Sequence, residues 1–139
     1  MVPWIAALLM VVGPPPRIGA IEGDALKVAW PVGQDVVLLC YLLSAVGKTD
    51  IEALVDRAHA SLKPGGTLIV HDFMVDDDLT GPASAALWML VLSSAEPVCL
   101  TAGYVSRLMK DAGLEVVAAD LVPTITKVVV GVKRPNHGL

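Results

Sequence analysis

Two periods of apolar positions alternate along this chain. Across residues 50–62, Ile51, Leu54, Val55, Ala58 and Leu62 recur at helical spacing and predict one buried stripe. Lys63, Pro64, Gly65 and Gly66 follow and stop that helix, because Pro and Gly favour a turn over another helical residue. Residues 35–40, DVVLLC, form a continuous apolar run led by an acid, the pattern of a strand covered on both faces. Residues 67–70 predict a second buried strand, and residues 17–21 a short one closing on Glu22, Gly23 and Asp24.

Further along, Gly81 and Pro82 fit a helix start, and residues 83–92 are apolar on nearly every side, so that helix should be buried or lie in an interface. Thr101 can cap a helix carrying Tyr104, Val105, Leu108 and Met109, which Gly113 would end. Residues 114–118 and 125–132 predict closing strands. Their connection around Pro123 is too short for a helical crossover, so these two should pair antiparallel. Strands alternating with helices predict an α/β fold with a mostly parallel sheet. Such sheets bind ligands beyond the carboxyl ends of their strands. There the sequence places LIVHDFMVDDDLTGP, a buried strand running into Asp72 and then Asp76, Asp77 and Asp78.

Composition narrows the choices. The 139 residues allow one domain, and 55% hydrophobic against 17% charged residues argues for a packed core. A net charge of −4 with scattered basic residues disfavours a nucleic-acid surface. Cys40 and Cys99 lack CxxC spacing and read as small buried hydrophobes in a reducing cytoplasm. The apolar segment 1–16 is too short to span a membrane and lacks the basic start of a signal peptide, so it should cover part of the core. No metal site is expected. His71 and Asp72 are strand neighbours pointing to opposite faces, and the three later aspartates lack the spacing of a calcium loop. Those aspartates read as a solvated loop placing negative charge before the helix near Pro82.

The segments GDAL, DVVLLCYLL, LKPGGTLIVHDFMVDDDLTGP, LWMLV and YVSRLMKDAGLE resemble the C-terminal half of S-adenosylmethionine-dependent O-methyltransferases, the acetylserotonin and caffeic-acid type. The resemblance covers about residues 17–134. It implies a partial Rossmann-like sheet, mostly parallel with an antiparallel C-terminal strand and helices on both faces, with residues 17–139 as the C-terminal part of the catalytic domain. It also implies roles by position. Gly23, Asp24 and Ala25 match the loop beside the adenine, and Cys40 and Tyr41 the strand end that flanks the cofactor. Trp88, Met89 and Ser93 match the helix lining the acceptor pocket. Asp72 falls where an acid supports a histidine base, and Ser44 falls where that histidine usually stands.

The implied reaction is methyl transfer from S-adenosylmethionine to a small-molecule hydroxyl. It needs in-line positioning and a deprotonated acceptor oxygen, and a histidine base contributes roughly 10²–10⁴-fold. Serine cannot replace that base, and His71 stands on the other face from the support position. The family's glycine-rich loop and ribose-binding acid have no counterpart before Arg17. Weak cofactor binding and weak or absent stand-alone activity are therefore expected. The alternative is a non-catalytic module or subunit completed by a partner chain. Residues 35–40 should become an exposed apolar edge, so a homo-oligomer or a partner-bound subunit is expected.

Overall fold

The computed structural model describes residues 19–92, 98–122 and 124–135. Strand β1, Gln34–Cys40, leads through a 3-10 turn, Leu43–Ala45, into helix α1, Lys48–Ser61. Strand β2 spans Leu62–Phe73, helix α2 Ala83–Leu92 and helix α3 Ala102–Asp111. Strands β3, Leu114–Ala118, and β4, Thr126–Lys133, close the chain. The sheet order is β1-β2-β4-β3. β1 and β2 are parallel, and β4 runs antiparallel to both β2 and β3. Three strands therefore share one direction, and the last strand opposes them from inside the sheet.

Local chemistry explains the boundaries. In α1 the predicted stripe is buried through Ile51, Leu54, Val55 and Ala58, and Asp50 sits in the first turn, where the helix dipole favours an anion. The helix ends where the Leu62 N–H bonds the Ala58 carbonyl, one residue before Lys63 and Pro64. Residues 63–66 loop out of the β1–β2 pairing, whose register jumps from Gln34↔Leu62 to Val36↔Thr67. In α3, Thr101 Oγ1 accepts from the Tyr104 N–H at 3.0 Å, and Gly113 ends the helix with φ of +92°.

The core lies between one face of the sheet and helices α1 and α3. Leu68 and Val70 of β2 and Val129 of β4 meet Leu54, Val55, Val105 and Met109 there. The opposite face is more open, touched at the end of β2 by α2, where Trp88 stacks on Phe73. Val36 and Leu38 of β1 are more than half exposed on it, so the expected covering of both faces of this strand is not seen. β1 is the sheet's edge, as expected. The strand predicted at 17–21 does not form over residues 19–22, which are exposed and have no ladder partner among the described residues. A strand without a neighbour leaves its backbone groups to water and has nothing to hold it extended. The apolar segment 1–16 lies outside the described residues.

Candidate functional site

The carboxyl ends of β1 and β2 carry the site. After Cys40 the backbone turns sharply: Tyr41 adopts φ of +51°, a left-handed conformation uncommon for an aromatic residue. Its N–H still donates to the His71 carbonyl at 2.9 Å, extending the pairing by one bond. The chain then enters the 3-10 turn, whose leading residue Leu42 offers no side-chain cap. Asp72 supplies one from the neighbouring strand. Its Oδ2 accepts from the Leu43 and Ser44 N–H groups at 2.9 and 3.2 Å, and its Oδ1 from the Phe73 N–H at 2.8 Å. The Leu43 and Ser44 groups are orphan donors of a helical start, and a remote carboxylate satisfies them.

Asp72 is fully buried. Burial pushes its pKa above the usual carboxylate value, and the hydrogen bonds from the Ser44, Phe73 and Leu43 groups oppose that rise. The Ser44 hydroxyl also favours the charged form, although its geometry falls short of a regular hydrogen bond and it has no other partner. Asp72 and Ser44 thus stand together, as expected, yet both face the interior. In this arrangement the carboxylate fixes a turn and is buried away from the open face of the strand ends. Ser44→Ala should therefore leave the Tm unchanged or raise it by up to the equivalent of about 1 kcal/mol, because it deletes a buried unpaired hydroxyl. A clear fall in a thermal melt would show that the hydroxyl is bonded to Asp72 after all.

The other face of the strand ends is open. The Tyr41 ring lies 5.0 Å from both the His71 and Phe73 rings, and Phe73 stacks on Trp88 of α2 at 5.6 Å and 14°. His71 Nδ1 is 3.8 Å from Cys40 Sγ, and its Nε2 is 3.2 Å from Thr126 Oγ1. Cys40, Tyr41 and Trp88 are thus brought into one aromatic rim with His71 and Phe73. Alternation along β2 from Asp72 could have placed His71 and Phe73 together. Their meeting with Cys40 depends on the strand register.

The remaining expected residues do not join this rim. Gly23, Asp24 and Ala25 form a separate turn. Asp24 accepts from the Leu26 N–H at 2.9 Å and pairs with Lys27 at 3.2 Å, interactions that lower its pKa in that order. Gly23 has φ of +141°, and a Cβ there would overlap the Val28 side chain. The Ala25 carbonyl accepts from Trp30 Nε1, whose ring faces the Arg57 guanidinium. No hydrogen bond, ion pair or ring contact among the described residues links this turn to Cys40 or Tyr41. Met89 is buried, its sulfur accepting from the Leu100 N–H, so it packs inside instead of lining an open surface. Ser93 lies outside the described residues.

The acidic loop is not simply solvated. Asp77 accepts from the Gly103 N–H at 2.8 Å, so it serves the start of α3, where a charge before α2 was expected. Asp78 closes a local turn on Thr80. Asp76 meets Lys127 at 2.9 Å, and Asp120 meets the same ammonium at 2.8 Å. Lys127 is buried on β4, a feature that its place in an alternating strand did not signal. Among the described residues no three His, Cys, Asp or Glu side chains group as metal ligands, and no helix is long and apolar enough to cross a membrane.

Comparisons with known proteins bear on this arrangement. Residues 2–115 match the profile of the O-methyltransferase domain, a stretch taking in most of the apolar segment 1–16. The tetracenomycin polyketide synthesis 8-O-methyl transferase TcmO of Streptomyces glaucescens is 37% identical over 81 residues, 57% of this chain and 24% of that protein. The 3-hydroxy-5-methyl-1-naphthoate 3-O-methyltransferase of Streptomyces sahachiroi is 32% identical over 71 residues, 51% of this chain and 21% of that protein. The crystal structure of human N-acetylserotonin methyltransferase in complex with SAM superposes with a TM-score of 0.71 at 24% identity, covering 82% of this chain and 33% of the other. The S-adenosylmethionine-dependent methyltransferase SibL superposes with a TM-score of 0.70 at 27% identity, covering 84% and 35%. The chain thus spans about a quarter of the curated relatives and about a third of the solved structures.

Proposed function

Because the chain belongs to the O-methyltransferase domain family, we propose that it carries part of an S-adenosylmethionine-dependent O-methyltransferase acting on a small-molecule hydroxyl. The match over residues 2–115 is the observation that carries this reading. The aromatic rim at the strand ends supports it, since open sheets of this class bind ligands there. In this reading Cys40 and Tyr41 flank the cofactor, and Trp88, backed by Phe73, walls the acceptor. Asp72 acts indirectly, by fixing the turn that sets where Tyr41 stands.

The described residues fit one flank of such a cofactor and no more. The Asp24 carboxylate is engaged within its own turn. When bound, S-adenosylmethionine supplies a methyl group on a sulfonium leaving group. The part left to this chain is orientation and exclusion of water along one wall. The buried Ser44 hydroxyl offers no base. These same observations favour the second reading, a module whose site is completed by a partner chain.

Calorimetry of the purified chain with S-adenosylmethionine distinguishes the two. Binding weaker than micromolar is expected from one flank alone, and micromolar binding with transfer of labelled methyl to a phenolic acceptor would establish a self-sufficient enzyme. The absence of both binding and transfer, even with a completing partner, would defeat the methyltransferase reading.

Assembly is part of the proposal. Among the described residues β1 has one neighbouring strand and exposes Val36 and Leu38, and α2 exposes Leu87, Leu90 and Val91. Light scattering of the chain should report a dimer, a larger species or a complex. A monodisperse monomer with a cooperative melt would refute this.

A further inference from the structure

We propose that Cys40 is a thiol-modification site, open to low-molecular-weight disulfides and small electrophiles, with His71 as the acceptor of the thiol proton. The inference does not depend on methyl transfer. Cys40 is exposed at the last position of β1, and its sulfur lies 3.8 Å from His71 Nδ1. The parallel register pairs these two residues directly, so both side chains leave the sheet on the same face, the one on which Val36 and Leu38 are exposed.

His71 is held in place by its neighbours. Its Nε2 lies 3.2 Å from Thr126 Oγ1, and the Tyr41 ring packs against it at 5.0 Å. When Nε2 carries the proton and donates it to the threonine oxygen, Nδ1 is a bare acceptor facing the sulfur. A nucleophile, a base and a group that orients the base are then neighbours. Cys99 is equally a free, exposed thiol, but among the described residues it makes no contact with an imidazole. The molecule thereby contains its own reference thiol.

The chemistry is thiol–disulfide exchange. The Cys40 proton passes to His71 Nδ1, and the resulting thiolate attacks one sulfur of the incoming disulfide. That S–S bond breaks as the new one forms, and the departing thiolate takes up the proton. One disulfide is consumed, and one mixed disulfide and one free thiol are produced. The adduct stands beside Tyr41 on the aromatic rim, so modification would obstruct that edge of the sheet.

The test exposes the full 139-residue chain to limiting glutathione disulfide, and in parallel to iodoacetamide, and follows Cys40 and Cys99 by peptide mass. Cys40 is expected to react roughly tenfold faster than Cys99 in the native chain, with the preference gone in denaturant. His71→Asn should slow Cys40 roughly tenfold and leave Cys99 unchanged, the size expected from losing a positioned base. Thr126→Val, which keeps the imidazole and removes its orienting oxygen, should give a smaller loss at Cys40 and serves if His71→Asn does not fold. Equal native rates at the two cysteines overturn the proposal. So does a Cys40 rate unchanged in whichever of these variants folds.

Discussion

Replacing both carboxylates that face Lys127, as Asp76→Asn with Asp120→Asn, should cost about 3–5 kcal/mol, the loss expected when a buried charge is left without its partner. The Lys127 side chain is 3% exposed, whereas Asp76 and Asp120 are each about half exposed. That asymmetry sets the order of effects. Lys127→Met leaves two carboxylates that can rehydrate, so it should cost less than the double aspartate change. Each single aspartate variant should fall between, because one ion pair remains. The loss should show as a Tm fall of about 10–15 °C in a domain of this size. If the double change costs less than Lys127→Met, the buried ammonium has another acceptor and the argument fails. The hydrogen bonds that Lys127 donates to Asp120 and then to Asp76 raise its pKa. A base raised on folding stabilises fully below its unfolded pKa and loses that contribution as pH rises through the folded value. The network should therefore hold through neutral pH and weaken only in alkali, above about 10.5.

Asp72→Ala should be comparably damaging, at about 3–5 kcal/mol, since it leaves the Leu43, Ser44 and Phe73 N–H groups buried without an acceptor. Asp72→Asn should cost less but remain destabilising. An amide has one acceptor oxygen, and its NH₂ would face the N–H groups on the other side. Because burial raises the Asp72 pKa, its linkage has the opposite sense to ordinary acid denaturation. An acid raised on folding gives its full contribution below the unfolded pKa and loses it as pH rises through the folded one. The advantage of the wild type over Asp72→Asn should therefore be larger at acid pH than at neutral pH, whereas an exposed aspartate with an ordinary pKa would show no such difference. Chemical denaturation of both variants near pH 4 and pH 7 checks this sign. A variant whose deficit is the same at both values would mean that Asp72 titrates as it does in the unfolded chain.

What the sequence determined by itself was local. The 3.6-residue stripe of Ile51, Leu54, Val55 and Ala58, the Thr101 cap and the Gly113 stop are written in neighbouring residues, and α1 and α3 formed where those signals stand. The opposed faces of His71 and Asp72 follow from the two-residue period of a strand, and the short link near Pro123 required an antiparallel closing pair. The motifs between Gly23 and Glu115 also carried the family, which the profile match bears out.

Tertiary structure decided which side chains meet. β4 inserts between β2 and β3, and that order brings Lys127 to Asp76 and Asp120 across 51 and 7 residues of chain. The register of β1 on β2 sets Cys40 beside His71 and puts Asp72 under the turn at Leu43 and Ser44. The turn at Gly23, Asp24 and Ala25 settled against Trp30 instead of extending into a strand, because residues 19–22 have no neighbouring strand among the described residues to complete their hydrogen bonds. Periodicity tells each residue which way to point. Only the pairing of distant strands, which depends on the summed burial and hydrogen bonding of the whole sheet, tells it what it will find there.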